Sequence, residues 1–260
     1  MKLEFGTGSV FSRLSKNKAN FLVNYAVDLG IRKFDTGVNY GNWKTQPLLG
    51  FTLKEHLKKN REEFIITSKA GTHSYGNMKN SKNFTPEYIE FMINKSISDM
   101  NCKYLDKFYL HGPSLEDIEN KELLNKLNTL IQTGKIRQFG VNTHNLLNIK
   151  KIASGFYSEI RSLIIDYNLL QQDRSFFFNS LKKNSIDISA GTALCQGALI
   201  QSPLESFIRK RNIFYLLRFL LKKSTKKYLY PARVYREYVK NNFPNQFKSI
   251  PLSFVLNNSF

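Results

Sequence analysis

The sequence has few cysteines, few acids and no long apolar run. Two cysteines, Cys102 and Cys195, stand far apart among 260 residues, without a CxxC or Cys/His spacing. The sequence therefore supports neither a disulfide framework nor a zinc site, and both cysteines are predicted to be small core residues. No stretch reaches the ~18 consecutive apolar residues of a membrane span, and the first residues lack the apolar run of a signal peptide. These absences favour a globular protein of the cytoplasm.

Acidic residues number 20 against 39 Lys and Arg, which gives a formal net charge of +19. Such an excess raises nucleic acid, an anionic membrane surface or an acidic substrate as partners. Adenine- and thymine-rich codons would produce the same excess, since 28 residues are Lys and 26 are Asn. Both explanations stay open at this point.

Much of the positive charge is local. Residues 209–248 hold twelve Lys and Arg and one acid, Glu237. Within this segment an apolar run, 213–221, is flanked by basic residues. An interfacial helix on an anionic membrane, over residues 209–227, has this pattern. A barrel helix that packs its leucines inward has it too, and we favour that interpretation. Nucleic acid is not predicted, because the aromatic residues follow no stacking-module motif.

Short β-type runs alternate along the chain with amphipathic helical stretches, several of which begin at a capping residue such as Ser15 or Ser114. The predicted strands are 3–8, 31–36, 63–69, 104–110, 136–142, 163–167 and 186–190. Seven strands separated by helices predict a parallel sheet. Together with the length they predict an α/β fold over residues 1–260, a single (β/α)8 TIM-type barrel domain with seven recognisable strands. A doubly wound sheet is disfavoured, because no GxGxxG opens a βαβ unit.

Polar residues stand at the ends of three neighbouring predicted strands. Asp35 ends the second strand, Lys69 the third and His111 the fourth, and Tyr40 follows Asp35 by five residues. In such barrels the active site lies at this end of the strands. Together the four residue types are suited to general-acid catalysis. A phenol can donate a proton, and a neighbouring ammonium held by a carboxylate lowers the pKa of that phenol. An imidazole can orient the carbonyl oxygen that receives the proton. Taken singly, each residue is more often a solvated, rim or turn residue, and only the combination points to catalysis. No carboxylate cluster at ligand spacing predicts a metal site.

Five segments resemble the aldo-keto reductase family: FGTGS at 5–9, GIRKFDTGVNYGN at 30–42, REEFIITSKAG at 61–71, YLDKFYLHGP at 104–113 and GKIRQFGVN at 134–142. The resemblance implies an oxidoreductase that transfers hydride from NADP or NAD to an aldehyde or ketone. It implies that Tyr40 is the general acid and that Lys69 depresses the phenolic pKa from ~10. It also implies that Asp35 pairs with Lys69 and that His111 orients the substrate carbonyl.

The resemblance further implies a set of cofactor-binding positions, namely Gly6, Thr7, Gly8, Asp35, Asn142, Leu194 and Gln196. Some positions depart from the family. Asn142-Thr143 replaces a Ser-Asn pair, Ile164 replaces a Gln, and Gly191 replaces a stacking aromatic residue. The family's eighth strand, phosphate-binding segment and final helix would follow residue 258. A weakened affinity for the cofactor is therefore expected.

Two functions of different class therefore stay open. The first is a cytoplasmic reductase of a small carbonyl compound. The second is a barrel that keeps the four residues but binds cofactor poorly and acts as a binding or scaffold protein, with membrane association through residues 209–227 as a further alternative. No partner protein is predicted.

Overall fold

The computed structural model describes residues 3–75, 79–210 and 226–258. The chain forms two compact units. Unit 1 comprises Met1–Ile164 and Lys183–Asp187, and unit 2 comprises Ile165–Lys182 and Ile188–Phe260. The single domain over residues 1–260 stays a prediction.

Strands and helices alternate through most of unit 1. Its elements are β1 (Glu4–Gly6), α1 (Gly8–Phe11), α2 (Lys16–Asp28), β2 (Lys33–Asp35), α3 (Thr45–Lys59), β3 (Ile65–Ala70), β4 (Thr72–Tyr75), β5 (Lys79–Lys82), α4 (Pro86–Met100), β6 (Leu105–His111), α5 (Leu115–Glu119), α6 (Lys121–Gln132), β7 (Ile136–Thr143) and α7 (Leu146–Ala153). Two further strands, β8 (Ser162–Asp166) and β9 (Asp187–Gly191), begin in unit 1 and end in unit 2. Short 3-10 helices lie at Arg61–Glu63, Asp173–Phe177 and Cys195–Gly197.

Seven strands form one sheet in the order β1-β2-β3-β6-β7-β8-β9. From β1 to β7 the neighbours pair in parallel, as the intervening helices require. This strand order and alternation are those of a (β/α)8 TIM-type barrel, seven of whose strands lie in the described residues. The seven predicted strands are confirmed, with ends that differ by at most two residues.

The helices predicted to begin at Ser15 and Ser114 form, with one division that was not expected. The Ser15 hydroxyl accepts from the amide of Lys18 and begins α2, as predicted. The predicted helix that starts at Ser114 is in fact two helices, because Asn120 adopts extended backbone after α5 and its side chain caps α6. The last described helix is α11 (Ile250–Asn257).

A two-stranded antiparallel hairpin, β4–β5, stands between β3 and α4. The sequence analysis did not predict it. Gly71 lets the chain leave β3 for this hairpin, since its φ is +114° and a Cβ there would lie 2.1 Å from the Phe84 ring. The Gly-Asn dipeptide at residues 76–77 is a turn signal that could have indicated the hairpin.

The core of unit 1 lies between the sheet and its helices. Its largest fully buried apolar side chains include Phe34, Phe108, Phe139, Ile66, Ile89 and Leu53. Cys102 is fully buried, as predicted. The buried Arg61 guanidinium donates to the carbonyls of Cys102 and Phe64 and to the Asp106 carboxylate, and so fixes the turn that precedes β3.

Unit 2 contains most of α8 (Phe178–Lys183), with α9 (Pro203–Lys210), α10 (Leu229–Asn242) and α11. Its core is a cluster of buried residues: Cys195, Ala198, Leu199, Tyr228, Ala232, Tyr235, Val239 and Phe247. Cys195 is fully buried there, which confirms it as a core residue.

The basic segment 209–227, interpreted as a barrel helix with an interfacial helix as the alternative, lies mostly outside the described residues, which omit 211–225. Among the residues that are described, no helix combines the length and apolar character needed to cross a bilayer.

Candidate active site

The carboxyl ends of β1, β2 and β3 are tied together at Asp35. The Thr7 amide and hydroxyl both donate to the Asp35 carbonyl, each at 2.9 Å, and Thr7 is buried. From the other side, the Thr67 hydroxyl donates to Oδ1 of Asp35 at 2.8 Å. The backbone and the carboxylate of Asp35 are thus both fixed by neighbouring strands.

Lys69 is a buried cation directed at this carboxylate. Its Nζ lies 2.7 Å from each carboxylate oxygen of Asp35 and 2.8 Å from the Thr36 carbonyl. The Lys69 side chain is only 1% exposed. An ammonium this deeply buried is stable only when it is paired and hydrogen-bonded. The structure therefore brings Asp35 and Lys69 together as one charged pair.

The loop of residues 36–44, which follows β2, places Tyr40 beside the Asp35–Lys69 pair. The amide of Val38 donates to the Lys69 carbonyl at 3.1 Å, and Lys69 Nζ lies 5.1 Å from the centroid of the Tyr40 ring. A Cβ at Gly37 would approach Lys69 Cγ to 3.0 Å and Tyr40 Cε1 to 3.3 Å. Glycine at position 37 is what allows the phenol and the lysine side chain to be neighbours.

Burial raises the pKa of the Tyr40 phenol above its ordinary value, while the charge of Lys69 lowers it and that of Asp35 raises it. Burial is the largest single effect and lowers the pKa of Lys69, but Asp35 and Tyr40 together outweigh it, so the net pKa is raised. Lys69 therefore lowers the phenolic pKa, as expected, but burial is the larger effect and the net pKa is raised. At neutral pH the phenol is protonated and the ammonium is charged.

His111 ends β6 beside these groups. Its ring centroid lies 6.3 Å from that of Tyr40, with the two rings nearly perpendicular. Burial, and then the nearby charges of Lys69 and His144, lower the pKa of His111 to about 3. Its Nδ1 is buried and has no hydrogen-bond partner in the described part of the chain. The imidazole is therefore neutral, with hydrogen-bonding capacity left for a ligand.

Asn142 lies opposite His111 in the register of β6 and β7. It is half-buried, and within the described ranges its amide group makes no hydrogen bond. The neighbouring Thr143 is committed instead to the start of α7, because its hydroxyl accepts from the Asn145 amide and the Asn148 side chain. Of the two residues that replace the expected Ser-Asn pair, Asn142 is the one available to a ligand.

The other predicted cofactor positions of unit 1 are the glycines at the end of β1. A Cβ on Gly6 or Gly8 would meet no atom within 4 Å, so both glycines adjoin open space. Open glycines and an uncommitted amide group fit a nicotinamide cofactor, which needs close backbone approach and a partner for its carboxamide. Ile164 does not contribute such a partner, because it is a buried apolar side chain.

Gly191, Leu194 and Gln196 lie at the end of β9 and in the loop that follows, in unit 2. The buried Asn168 organises this loop: its Oδ1 accepts from the Leu170 amide and the Cys195 thiol, and its Nδ2 donates to the Thr192 hydroxyl. The backbone is left-handed at three non-glycine residues, Thr192, Cys195 and Gln196. Leu194 and Gln196 stay predicted cofactor residues.

Sequence reasoning missed the contacts that the β4–β5 hairpin makes with the site. The Thr72 hydroxyl donates to the carbonyl of His111 at 2.5 Å. His73 stacks obliquely with Trp43 at 6.2 Å, and its Nδ1 lies 3.1 Å from the Tyr88 hydroxyl. The loop that carries Tyr40 and the hairpin that follows Lys69 are thereby held against each other.

The family model described as "Aldo/keto reductase family" matches residues 2–228 of the chain. Among curated proteins, the L-glyceraldehyde 3-phosphate reductase of Escherichia coli is 29% identical over 185 residues, which cover 68% of this chain and 53% of that protein. The chain spans between half and two thirds of the length of the first curated relatives it matches.

Solved structures share the fold at lower identity. The glycerol dehydrogenase of Gluconobacter oxydans superposes with a TM-score of 0.73 at 20% identity, covering 99% of this chain and 80% of that one. An aldo/keto reductase of Klebsiella pneumoniae, solved in complex with NADP and acetate, has a TM-score of 0.61 at 16% identity, covering 81% and 72%.

Proposed function

Because the chain belongs to the aldo/keto reductase family of oxidoreductases, we propose that it reduces an aldehyde or ketone by hydride transfer from a nicotinamide cofactor. The observation that carries the proposal is the buried Lys69 ammonium, which contacts both oxygens of Asp35 and lies beside the Tyr40 ring. An ion pair buried next to a phenol suits a general acid, because it places positive charge where a phenolate would form.

Tyr40 supplies the proton in this proposal. Reduction of a carbonyl develops negative charge on its oxygen, and a donor aimed at that oxygen in a partly dry site stabilises the charge. The raised pKa of Tyr40 keeps the phenol protonated at neutral pH. Lys69 stabilises the phenolate left after proton transfer, and Asp35 keeps the ammonium in position.

His111 orients the substrate in this proposal. With a pKa lowered to about 3, the imidazole is neutral across the physiological range and donates a hydrogen bond from one nitrogen only. A neutral donor polarises the carbonyl oxygen without competing with Tyr40 as the proton source.

A nicotinamide cofactor, NADP or NAD, would supply the hydride. Asn142 would hold its carboxamide, because its amide group is uncommitted, and Gly6 and Gly8 would permit close approach of the backbone. NADP is supported by the Klebsiella pneumoniae neighbour, which was solved with it. The roles of Thr7, Leu194 and Gln196 toward the cofactor are proposed from the resemblance alone.

A second candidate function is a binding protein that has kept the four residues without effective cofactor binding. The observation that favours it is the buried, apolar Ile164, which cannot make the hydrogen bond of a glutamine at that position. A small carbonyl compound is the proposed partner in the first case, and the cytoplasm stays the predicted location in both.

Titration of the protein with NADPH, followed by cofactor fluorescence, separates the two candidates. The reductase requires saturable binding in the micromolar range together with NADPH oxidation that depends on added aldehyde. Absence of binding at millimolar NADPH would contradict the reductase and support the binding protein.

A further inference from the structure

We propose that Lys82, at the base of the β4–β5 hairpin, binds an anionic group on the carbonyl substrate, either a carboxylate or a phosphate. The inference rests on the proposed reductase function and adds a substrate class to it.

The hairpin register places Lys82 beside the candidate active site. Lys82 lies directly opposite Thr72, and the Thr72 hydroxyl donates to the His111 carbonyl at 2.5 Å. Side chains of directly opposite residues in an antiparallel pair project from the same face, with Cβ atoms about 5 Å apart. Lys82 therefore shares the face of the hairpin that contacts the end of β6, where His111 lies.

The hairpin is also held against the loop that carries the predicted acid. Trp43, three residues after Tyr40, packs on His73 of β4 at 6.2 Å between ring centroids. His73 lies next to Thr72 in the same strand. A substrate whose carbonyl lies between Tyr40 and His111 would thus have its remainder bordered by the hairpin.

Lys82 is available to a ligand. It is exposed, and it makes no hydrogen bond or ion pair with any residue that the structure describes. In this it differs from Lys95, which is bound to Asp99, and from Lys126, which is bound to Glu90. An exposed ammonium that has no ion pair within the described residues can accept an anionic ligand without breaking one.

The loops on this side of unit 1 contain no competing carboxylate. The segments 36–44 and 71–85 contain three lysines and no Asp or Glu, and 112–114 and 143–145 contain no acid either. The Asp35 carboxylate is neutralised by Lys69. The acids that follow these segments in the sequence, Glu87, Glu116 and Asp117, lie in the first turns of helices, and Asp117 is engaged in a capping box with Ser114. This charge distribution attracts an anionic substrate.

The test uses two matched aldehyde pairs with NADPH. Glyceraldehyde 3-phosphate is compared with glyceraldehyde, and 4-oxobutanoate with 4-oxobutanamide. The wild-type protein should prefer the charged member of at least one pair by about tenfold in kcat/KM, as one hydrogen bond to a charged group provides. This preference should fall as salt is raised. The pair that shows it identifies the group as phosphate or carboxylate.

Substitutions then locate the preference. Lys82→Gln should reduce the ratio of charged to neutral kcat/KM toward one, mainly through KM, and Lys82→Arg should preserve it. Lys135→Gln is the matched control, since Lys135 is an exposed lysine just before β7, at the amino end of that strand, and it should leave the ratio unchanged.

Three results would overturn the inference. Equal kcat/KM for both members of both pairs would exclude an anionic preference, and an unaltered ratio in Lys82→Gln would exclude Lys82 as its source. No turnover of any aldehyde by protein that binds NADPH would contradict the proposed reductase function, and the inference with it.

Discussion

The candidate active site of unit 1 and the loop after β9 in unit 2 are stabilised in different ways. In unit 1 a buried ion pair, Lys69 with Asp35, fixes the site, and neighbouring strands hydrogen-bond to it. In unit 2 neutral side chains hold the loop, because Asn168 makes hydrogen bonds with the side chains of Thr192 and Cys195. A buried charge tolerates few substitutes, since either partner alone would be an uncompensated charge. Neutral hydrogen bonds can be supplied by several residue types.

The charged site keeps the family pattern, while the departures lie elsewhere in both units, at Asn142-Thr143 and Ile164 in unit 1 and at Gly191 in unit 2. The residue types at the charged site match the aldo/keto reductase motifs, whereas Gly191 and its neighbours do not. The departures do not leave the unit 2 loop without structure, because Asn168 organises it from within.

The largest predicted effect breaks the charged pair. Lys69→Met leaves the Asp35 carboxylate with the Thr67 hydroxyl but without its counter-ion, so the free energy of unfolding should fall by about 3 kcal/mol. Urea denaturation measures it. Lys95→Met is the control, because it removes a lysine from a partly exposed pair on α4 and should cost less than about 1 kcal/mol. Equal decreases in the free energy of unfolding for the two variants would show that the buried pair contributes no more to stability than the partly exposed one.

A smaller effect is expected from the neutral network. Asn168→Leu removes the partner of the Leu170 amide and the Cys195 thiol, and should lower the free energy of unfolding by about 2 kcal/mol. Asn241→Leu, at an exposed position of α10, should change it by no more than about 0.5 kcal/mol. If Asn168→Leu were as mild as its control, the loop after β9 would not depend on Asn168.

The smallest effect is a pH dependence from His111. Its pKa is about 3 in the folded chain and about 6.5 when unfolded, so between these values only the unfolded chain takes up the proton. The contribution of the neutral His111 to the free energy of unfolding is therefore fully present above pH 6.5, and it decreases as the pH falls below that value. Between pH 7 and 5.5 the wild-type protein should lose about 1 kcal/mol more than His111→Asn. Identical losses by urea denaturation at the two pH values would contradict the lowered pKa.

Sequence reasoning predicted the parts of the structure that depend on single residue types at regular positions. The seven strands follow from alternating β-type and helical runs, and Asp35, Lys69 and His111 were found because they end consecutive strands. The β4–β5 hairpin was missed, since its polar residues show no apolar alternation. The lowering of the Tyr40 pKa by Lys69 was predicted, but the larger opposing effect of burial was not, because burial depends on how distant segments pack and no local pattern reveals it.

The central claim is that Tyr40 is the proton donor of a reductase. Its most direct test compares single-turnover reduction of an aldehyde by wild-type protein and Tyr40→Phe at saturating NADPH, with Tyr25→Phe as the control because Tyr25 is exposed on α2. Tyr40→Phe should lose at least about 100-fold in rate while its affinity for NADPH stays within about twofold, and Tyr25→Phe should match the wild type. A Tyr40→Phe variant that reduces the aldehyde at the wild-type rate would contradict the account.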